Sequence, residues 1–326
     1  MGDKKAKKGQ DEDDSTNQVL RKYKNKSEQN GVPVNKLLKS KFDAAIDEDE
    51  HLEKLYLWDY MGPVGVRSFA DSLLEVDYKH LKILRLWKVD ARDEGVRTIC
   101  NYMLKSKTIE YLDLLDNNIT KLGCEFLSKV LSPNSDVPLQ QLKLDHNQFG
   151  SEGLSILTQS LSQNKTLLKL SLSYCNIDEN GSKFLQQILA NIDCVLQKLR
   201  IKGNILKNEG AYQLFRAIAI NNSLEKINIA DNQINFEDID FKDIPLFETV
   251  VNVLKSKQNL FFYDFRNNVM GEEDGLKIIE CIEQNKTICK CECPQTLSQP
   301  ILDRIKQLTK KRKPKKKKKG KKKGKK

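Results

Sequence analysis

The stretch Leu139–Thr166, LQQLKLDHNQFGSEGLSILTQSLSQNKT, changes its apolar spacing partway along, and this change predicts its structure. Leucines at its first, fourth and sixth places fit a short strand whose apolar side chains point into a core. Leu154, Leu157 and Leu161 then recur at intervals of three and four, which is helical spacing. One strand–turn–helix unit cannot bury its own apolar face, so we expect copies of it to stack.

The same unit recurs along most of the chain. Successive strand starts are 29, 28, 30, 28, 29, 28 and 36 residues apart. They fall at Leu52, Leu81, Ile109, Leu139, Leu167, Leu196, Leu224 and Leu260. Strands should lie about 4.8 Å apart and helices about 8–10 Å apart, so the stack should bend into a horseshoe with the sheet on its concave side.

The ninth place of the unit predicts a structural ladder. It holds Asn117, Asn147, Asn204, Asn232 and Asn268, and Cys175 takes it in the fifth repeat. A buried amide at this turn can bond backbone groups of its own coil and of the next one. We therefore interpret the five asparagines as structural.

Repeats of 28 or 29 residues with the pattern LxxLxLxx(N/C) and a full helix resemble the ribonuclease-inhibitor type of leucine-rich repeat. Ran GTPase-activating proteins and the sensing domains of NOD-like receptors share this type. The resemblance covers roughly residues 52–293. It implies an α/β leucine-rich repeat solenoid of about eight repeats, with a concave parallel β-sheet and convex helices. It does not identify a partner, because one fold serves many functions.

The flanking segments differ in composition from the repeats. Residues 1–30 are polar and mixed in charge, so we expect them to be disordered. Residues 31–51 should form a helical cap, and residues 52–309 the repeat domain with a C-terminal cap. Residues 310–326 contain fourteen basic and no acidic residues, so without them the formal charge falls from +11 to −3. Such a block should be a disordered poly-lysine tail.

The eight cysteines and the chain ends bear on compartment and metal binding. With no signal peptide at the start, the cysteines read as reduced thiols, and no apolar run is long enough for a membrane span. The last strand and helix, ICKCEC and about Gln299–Thr309, close the array. Zinc binding by Cys289, Cys291 and Cys293, with Cys281 as the nearest fourth ligand, is an alternative to a core role, but no CxxC pair is present. We expect no cofactor or metal, and a cytoplasmic protein, with nuclear or cytoskeletal association as alternatives.

Outward strand places predict the binding surface. Aromatic residues at the N-terminal end form a candidate anchor, unless the cap covers them, and cations fill the middle. The candidate protein-binding residues are Tyr56, Trp58, Trp87, Tyr111, Lys143, Lys169, Lys198, Arg200, Lys202 and Lys226. Arg85, Asp113 and Lys143 alternate in sign and should pair across strands. The inserted stretch Phe236–Phe247 is either a contact loop or a tolerated surface insertion.

No catalytic constellation is present: the sequence lacks GxxxxGK[ST], HExxH and GxSxG motifs. We therefore predict a non-enzymatic scaffold or adaptor that binds a protein with an apolar anchor and an acidic surface. The tail should add an electrostatic anchor for tubulin tails, nucleic acid or anionic membrane. Two alternatives remain: a Ran-type GTPase-activating protein, and a nucleic-acid-associated or nucleolar protein that acts through the tail.

Overall fold

The computed structural model describes residues 13–237 and 245–314, in which short strands alternate with longer helices. The strands are β1 Lys54–Leu57, β2 Ile83–Leu86, β3 Tyr111–Asp113, β4 Gln141–Lys143, β5 Lys169–Ser171, β6 Lys198–Arg200, β7 Lys226–Asn228, β8 Phe262–Asp264 and β9 Lys290–Glu292. The helices are α1 Ser15–Gln29, α2 Lys36–Asp47, α3 Gly62–Val76, α4 Arg92–Ser106, α5 Lys121–Leu131, α6 Gly150–Leu161, α7 Ser182–Ala190, α8 Lys207–Ile220, α9 Leu246–Ser256, α10 Glu272–Gln284 and α11 Gln299–Thr309. None of these helices is long and apolar enough to cross a membrane.

The strands of the described residues form one parallel sheet of nine strands in sequence order. Equivalent places pair across each interface, so Leu84 lies opposite Leu55 on one side and Leu112 on the other. These leucines are buried against the helices. The prediction of an α/β leucine-rich repeat solenoid with a parallel sheet is confirmed, and β9 is the last strand that the sequence indicated.

The ninth-place asparagines are buried and join neighbouring coils. Asn147 Oδ1 accepts hydrogen bonds from the backbone N–H groups of Asn117 (2.9 Å) and Ile119 (3.1 Å). Its Nδ2 donates to the carbonyl oxygens of Leu114 and Leu144, both at 2.9 Å. One side chain thus pairs four backbone groups that the turns leave without partners, which is why an amide fits this place.

The prediction of disorder over residues 1–30 is wrong for the part that the structure describes. Helix α1 packs on α3, with Val19, Leu20 and Tyr23 buried. Tyr23 makes an edge-on contact with Phe69, with ring centroids 6.1 Å apart. These three residues supply the apolar face of a second cap helix, next to α2. Residues 1–12 lie outside the described residues.

The prediction of a disordered tail from residue 310 is wrong at its start. Arg312 donates hydrogen bonds to the carbonyl oxygens of Ile282 (3.0 Å), Asn285 (3.1 Å) and Ile288 (3.0 Å). These carbonyls lie at the end of α10 and in the turn beyond it, where a guanidinium group is stabilising. Arg312 is therefore part of the C-terminal cap, and residues 315–326 lie outside the described residues.

The ends of the inserted stretch belong to the core. Phe236 is buried, and its ring centroid lies 6.0 Å from those of both Phe247 and Phe265. Residues 238–244, which carry most of the acidic side chains of the insertion, lie outside the described residues.

Candidate protein-binding face

Side chains at alternate strand places point away from the helices and line the concave face of the solenoid. The strand pairing places equivalent residues in rows that run across the sheet. The third-place row is Lys54, Ile83, Tyr111, Gln141, Lys169, Lys198, Lys226, Phe262 and Lys290. The fifth-place row is Tyr56, Arg85, Asp113, Lys143, Ser171, Arg200, Asn228, Asp264 and Glu292.

Three of the four predicted aromatic residues surround an arginine. The Arg85 guanidinium carbon lies 4.6 Å from the ring centroid of Tyr56, 4.7 Å from that of Tyr111 and 5.6 Å from that of Trp87. We call these four residues the Arg85 cluster. Contacts of this length between a cation and aromatic rings are attractive and fix the orientation of the rings. Arg85 is the centre of the cluster, a role that the sequence reasoning did not assign to it.

Trp58 stands apart from the Arg85 cluster. Its side chain is 54% exposed, whereas Trp87 is half-buried. The cap helices therefore do not cover Trp58, which remains a large apolar side chain open to solvent at the N-terminal end of the concave face. An exposed indole in this position is suited to anchor a partner.

A buried carboxylate separates the aromatic and basic parts of the face. Asp113 is 1% exposed and accepts hydrogen bonds from Tyr111 Oη and Lys143 Nζ, both at 3.0 Å. Burial works against the charged form of Lys143, but Tyr111 and Asp113 together outweigh it and raise the pKa of Lys143. The predicted pairing of Asp113 with Lys143 is thus present, whereas Arg85 contacts rings instead.

Three lysines on adjacent strands form a row of like charge, which we call the basic row: Lys169, Lys198 and Lys226. The pKa of Lys198 is lowered, first by burial of its ammonium group and then by the positive charges of Lys169 and Lys226. Glu225 acts in the opposite direction and does not cancel this effect. The structure therefore holds Lys198 in a place that disfavours its own charge.

The remaining predicted cations, Arg200 and Lys202, lie at the end of β6 and just beyond it. Arg200 is exposed next to Lys198 on β6. Lys202 Nζ lies 5.3 Å from the ring centroid of Tyr174, which stacks on His146 at 4.5 Å. A recess of about 170 Å³ lies between the basic row and Lys143. The cations therefore surround one continuous surface from β4 to β7.

A group of side chains that could ligate a metal lies elsewhere, beside the N-terminal cap. Asp13, His51 and His80 each bring a ligand atom within 4.8 Å of the others, and this is the one such group among residues 13–237 and 245–314. The Cys291 and Cys293 sulfurs lie 3.8 Å apart in the C-terminal core. The hydrogen bond with Cys293, and then burial, raise the pKa of the Cys291 thiol. Sequence reasoning missed the histidine pair, although its 29-residue spacing is one repeat.

Comparison with known proteins agrees with the architecture. A leucine-rich repeat family model matches residues 105–128, 137–157 and 163–185. NACHT, LRR and PYD domains-containing protein 14 of Mus musculus is 24% identical over 67% of this chain and 24% of its own length. Ribonuclease inhibitor of Mus musculus is 23% identical over 68% of this chain and 47% of its own length.

Among solved structures, the C-terminal domain of Caenorhabditis elegans tropomodulin aligns with a TM-score of 0.40 and 14% identity, over 51% of this chain and 93% of that one. This chain spans less than half the length of the two curated relatives described above. Its repeat length, strand order and asparagine ladder agree with the matched repeats and with these two relatives. The chain is a leucine-rich repeat solenoid, and its sequence is similar to those of ribonuclease inhibitor and of NACHT, LRR and PYD domains-containing protein 14.

Proposed function

We propose that the chain is a non-enzymatic scaffold that binds an acidic segment of a protein partner on its concave face. The observation that carries this proposal is the basic row, in which the pKa of Lys198 is lowered by burial and by its two lysine neighbours. A surface that only had to be soluble would not need three lysines side by side, because like charges directly opposite each other on adjacent strands are destabilising.

An anionic ligand would replace the repulsion among the three lysines with attraction to the ligand. Carboxylates bound between Lys169, Lys198 and Lys226 would offset their repulsion and raise the pKa of Lys198 again. Arg200 and Lys202 border the same surface, so further acidic residues of the partner could bind along β6. The basic row thus selects partners by charge and speeds their association.

The N-terminal end of the face supplies a different kind of contact. Trp58 offers an exposed indole, and cation–ring contacts fix the rings of the Arg85 cluster. Rigid aromatic side chains lose little conformational entropy on binding. A partner segment would therefore place an apolar side chain on Trp58 and run towards β7 with its acidic residues over the basic row.

The comparisons support a binding role in general terms. The name ribonuclease inhibitor describes a relative that acts on another protein. The concave face combines cations and aromatic rings with two buried carboxylates, Asp113 and Asp264, and these residue types suit recognition of a protein surface. We extend the proposal to the basic tail as a second, independent anchor for acidic polymers.

The test uses proteins that differ only in where charge is reversed. Each bait lacks residues 315–326, so that the tail cannot capture acidic proteins, and retains Arg312. One bait carries Lys169→Glu, Lys198→Glu and Lys226→Glu. A control bait with the same charge change carries Lys129→Glu, Lys183→Glu and Lys277→Glu, which are exposed on the outer helices α5, α7 and α10. Bound proteins are quantified by mass spectrometry, and the leading partner is purified for calorimetry.

The purified partner should bind the unsubstituted bait and the control bait with equal affinity, and the basic-row variant at least about tenfold more weakly. Trp58→Ala should weaken the same complex by about thirtyfold without affecting the fold, as removal of an anchor side chain does. Partners that bind the basic-row variant as tightly as the control would show that the concave cations are not the binding surface.

A further inference from the structure

Two histidines from consecutive repeats face each other beside the N-terminal cap. His51 and His80 precede the first leucines of their repeats and lie one repeat apart. Because the strands are parallel and in register, equivalent places are neighbours, and the two imidazole rings stack with centroids 3.6 Å apart and planes within 5°. Both side chains remain partly exposed to solvent.

A carboxylate approaches both rings from the start of α1. Asp13 Oδ2 lies 2.8 Å from His80 Nε2 and 3.6 Å from His51 Nε2. The other carboxylate oxygen, Oδ1, accepts a hydrogen bond from the Ser15 backbone N–H at 3.0 Å. The hydrogen bond from Ser15 thus holds the Asp13 carboxylate beside both imidazole rings.

Neighbouring groups orient one of the histidines. Thr16 Oγ1 lies 3.1 Å from His51 Nδ1 and 3.3 Å from the Tyr78 hydroxyl. The Tyr78 hydroxyl in turn accepts a hydrogen bond from the Leu52 backbone N–H at 2.6 Å. With Nδ1 engaged by Thr16, the Nε2 atom of His51 is directed towards Asp13. A hydrogen bond at the distal ring nitrogen is the usual support of a metal-binding histidine.

We propose that Asp13, His51 and His80 form a binding site for a divalent transition-metal ion such as Zn²⁺, which fastens the start of the N-terminal cap to the first two repeats. Two imidazole nitrogens and one carboxylate oxygen suit zinc better than calcium or magnesium, which prefer oxygen ligands. A tetrahedral ion with bonds of about 2.0–2.1 Å places its ligands about 3.3 Å apart. The two separations from Asp13, 2.8 and 3.6 Å, bracket this value. Because two stacked, parallel rings cannot both direct Nε2 at one ion, binding requires one imidazole to turn about its side-chain bonds.

The surroundings favour a cation and leave it accessible. An open recess beside the histidines is lined by four acidic residues and two lysines: Glu48, Asp49, Glu50, Glu53, Lys41 and Lys54. Three protein ligands would leave one position of a tetrahedral ion for water. His51 and His80 lie 38 and 67 positions from Asp13 along the chain, so an ion that binds all three residues would bind only the folded protein and stabilise it.

Binding is measured on the full, untagged chain by calorimetric titration with Zn²⁺, and by Co²⁺ absorption, which distinguishes nitrogen and oxygen ligands from thiolates. The test variant is His80→Ala, and the control is His146→Ala, because His146 lies in the fourth repeat and stacks on Tyr174. We expect one ion per chain, a Co²⁺ spectrum without thiolate bands, and a melting temperature that rises with Zn²⁺. The control should behave as the unsubstituted chain.

His80→Ala should abolish both binding and the rise in melting temperature. Asp13→Asn, which changes the ligand charge at an exposed position, should weaken binding more than tenfold. Thr16→Val, which removes the support of His51 Nδ1 together with the contact to the Tyr78 hydroxyl, should weaken it by about tenfold. The proposal is overturned if the full chain does not bind Zn²⁺, if His80→Ala binds it as tightly as the control, or if Co²⁺ shows thiolate ligation by the cysteines.

Discussion

The buried amide of Asn147 should contribute more to stability than any surface contact of its repeat. In Asn147→Ala the backbone N–H groups of Asn117 and Ile119 lose their acceptor, Asn147 Oδ1. Each buried N–H left unpaired costs about 1–3 kcal/mol, so two of them cost about 2–6 kcal/mol. The carbonyl oxygens of Leu114 and Leu144 also lose a donor, but an oxygen with two lone pairs tolerates this better. The lower end of the range applies if a water molecule replaces the amide.

Equilibrium urea denaturation followed by circular dichroism measures this loss. Asn101→Ala is the control, because Asn101 is exposed on α4 and its replacement should change the free energy of unfolding by less than about 0.5 kcal/mol. Asn147→Cys should lose less than Asn147→Ala, since Cys175 holds this place in the next repeat and its Sγ donates to Leu144 O at 3.2 Å. If Asn147→Ala is as stable as the control, the amide does not pair these backbone groups and the structural interpretation of the ladder is wrong.

Two further predictions concern the C-terminal cap and the basic row. Arg312→Ala should lower the free energy of unfolding by about 1.5–3 kcal/mol, because three carbonyl oxygens lose a charged donor. Deletion of residues 315–326 should instead leave the melting temperature unchanged and abolish retention on heparin at low salt. Equal melting temperatures for Arg312→Ala and the full chain would refute the capping role of Arg312. Lys198→Met should raise stability by about 0.5–1 kcal/mol near neutral pH. The pKa of Lys198 is lowered in the folded protein, so its positive charge opposes folding at any pH below that pKa. The stability advantage of Lys198→Met should therefore shrink as the pH rises through this pKa. A stability difference that stays constant across this pH range would contradict the lowered pKa of Lys198.

Most of the fold could be predicted from the sequence because the repeat fixes both spacing and register. The closing helix was expected at about Gln299–Thr309 and is found there. Helix α1 was missed for a physical reason. Its buried face consists of Val19, Leu20 and Tyr23 together with the small polar residues Thr16 and Ser27, so its composition looks like that of a disordered segment. This face is buried because α1 packs on α3, and the local sequence of α1 does not show that packing.

The membership of the concave rows could also be predicted, since alternate strand places must point to one side. The partners of individual charges could not. Arg85 was expected to pair with Asp113, but Tyr111 and Lys143 already bond to that carboxylate, and three rings surround the guanidinium group. Which charged side chains pair with one another depends on their distances in the folded protein, and the sequence pattern does not give these distances. The same limitation hid the contact between Asp13 and the two histidines.

The architecture separates the residues that hold the fold from those that can bind. Leucines and ninth-place amides stabilise each coil from within, while the outward strand places contribute little to the core. A solenoid of this kind can therefore tolerate an unfavourable surface arrangement such as the basic row, because the coils beneath it supply the stability. The proposed function requires that this arrangement has a use. Lys198→Met should thus make the protein more stable and the complex with an acidic partner weaker. If the variant is more stable and still binds the partner with full affinity, the lysine row is a tolerated defect, and the binding surface must lie nearer to Trp58 and the Arg85 cluster.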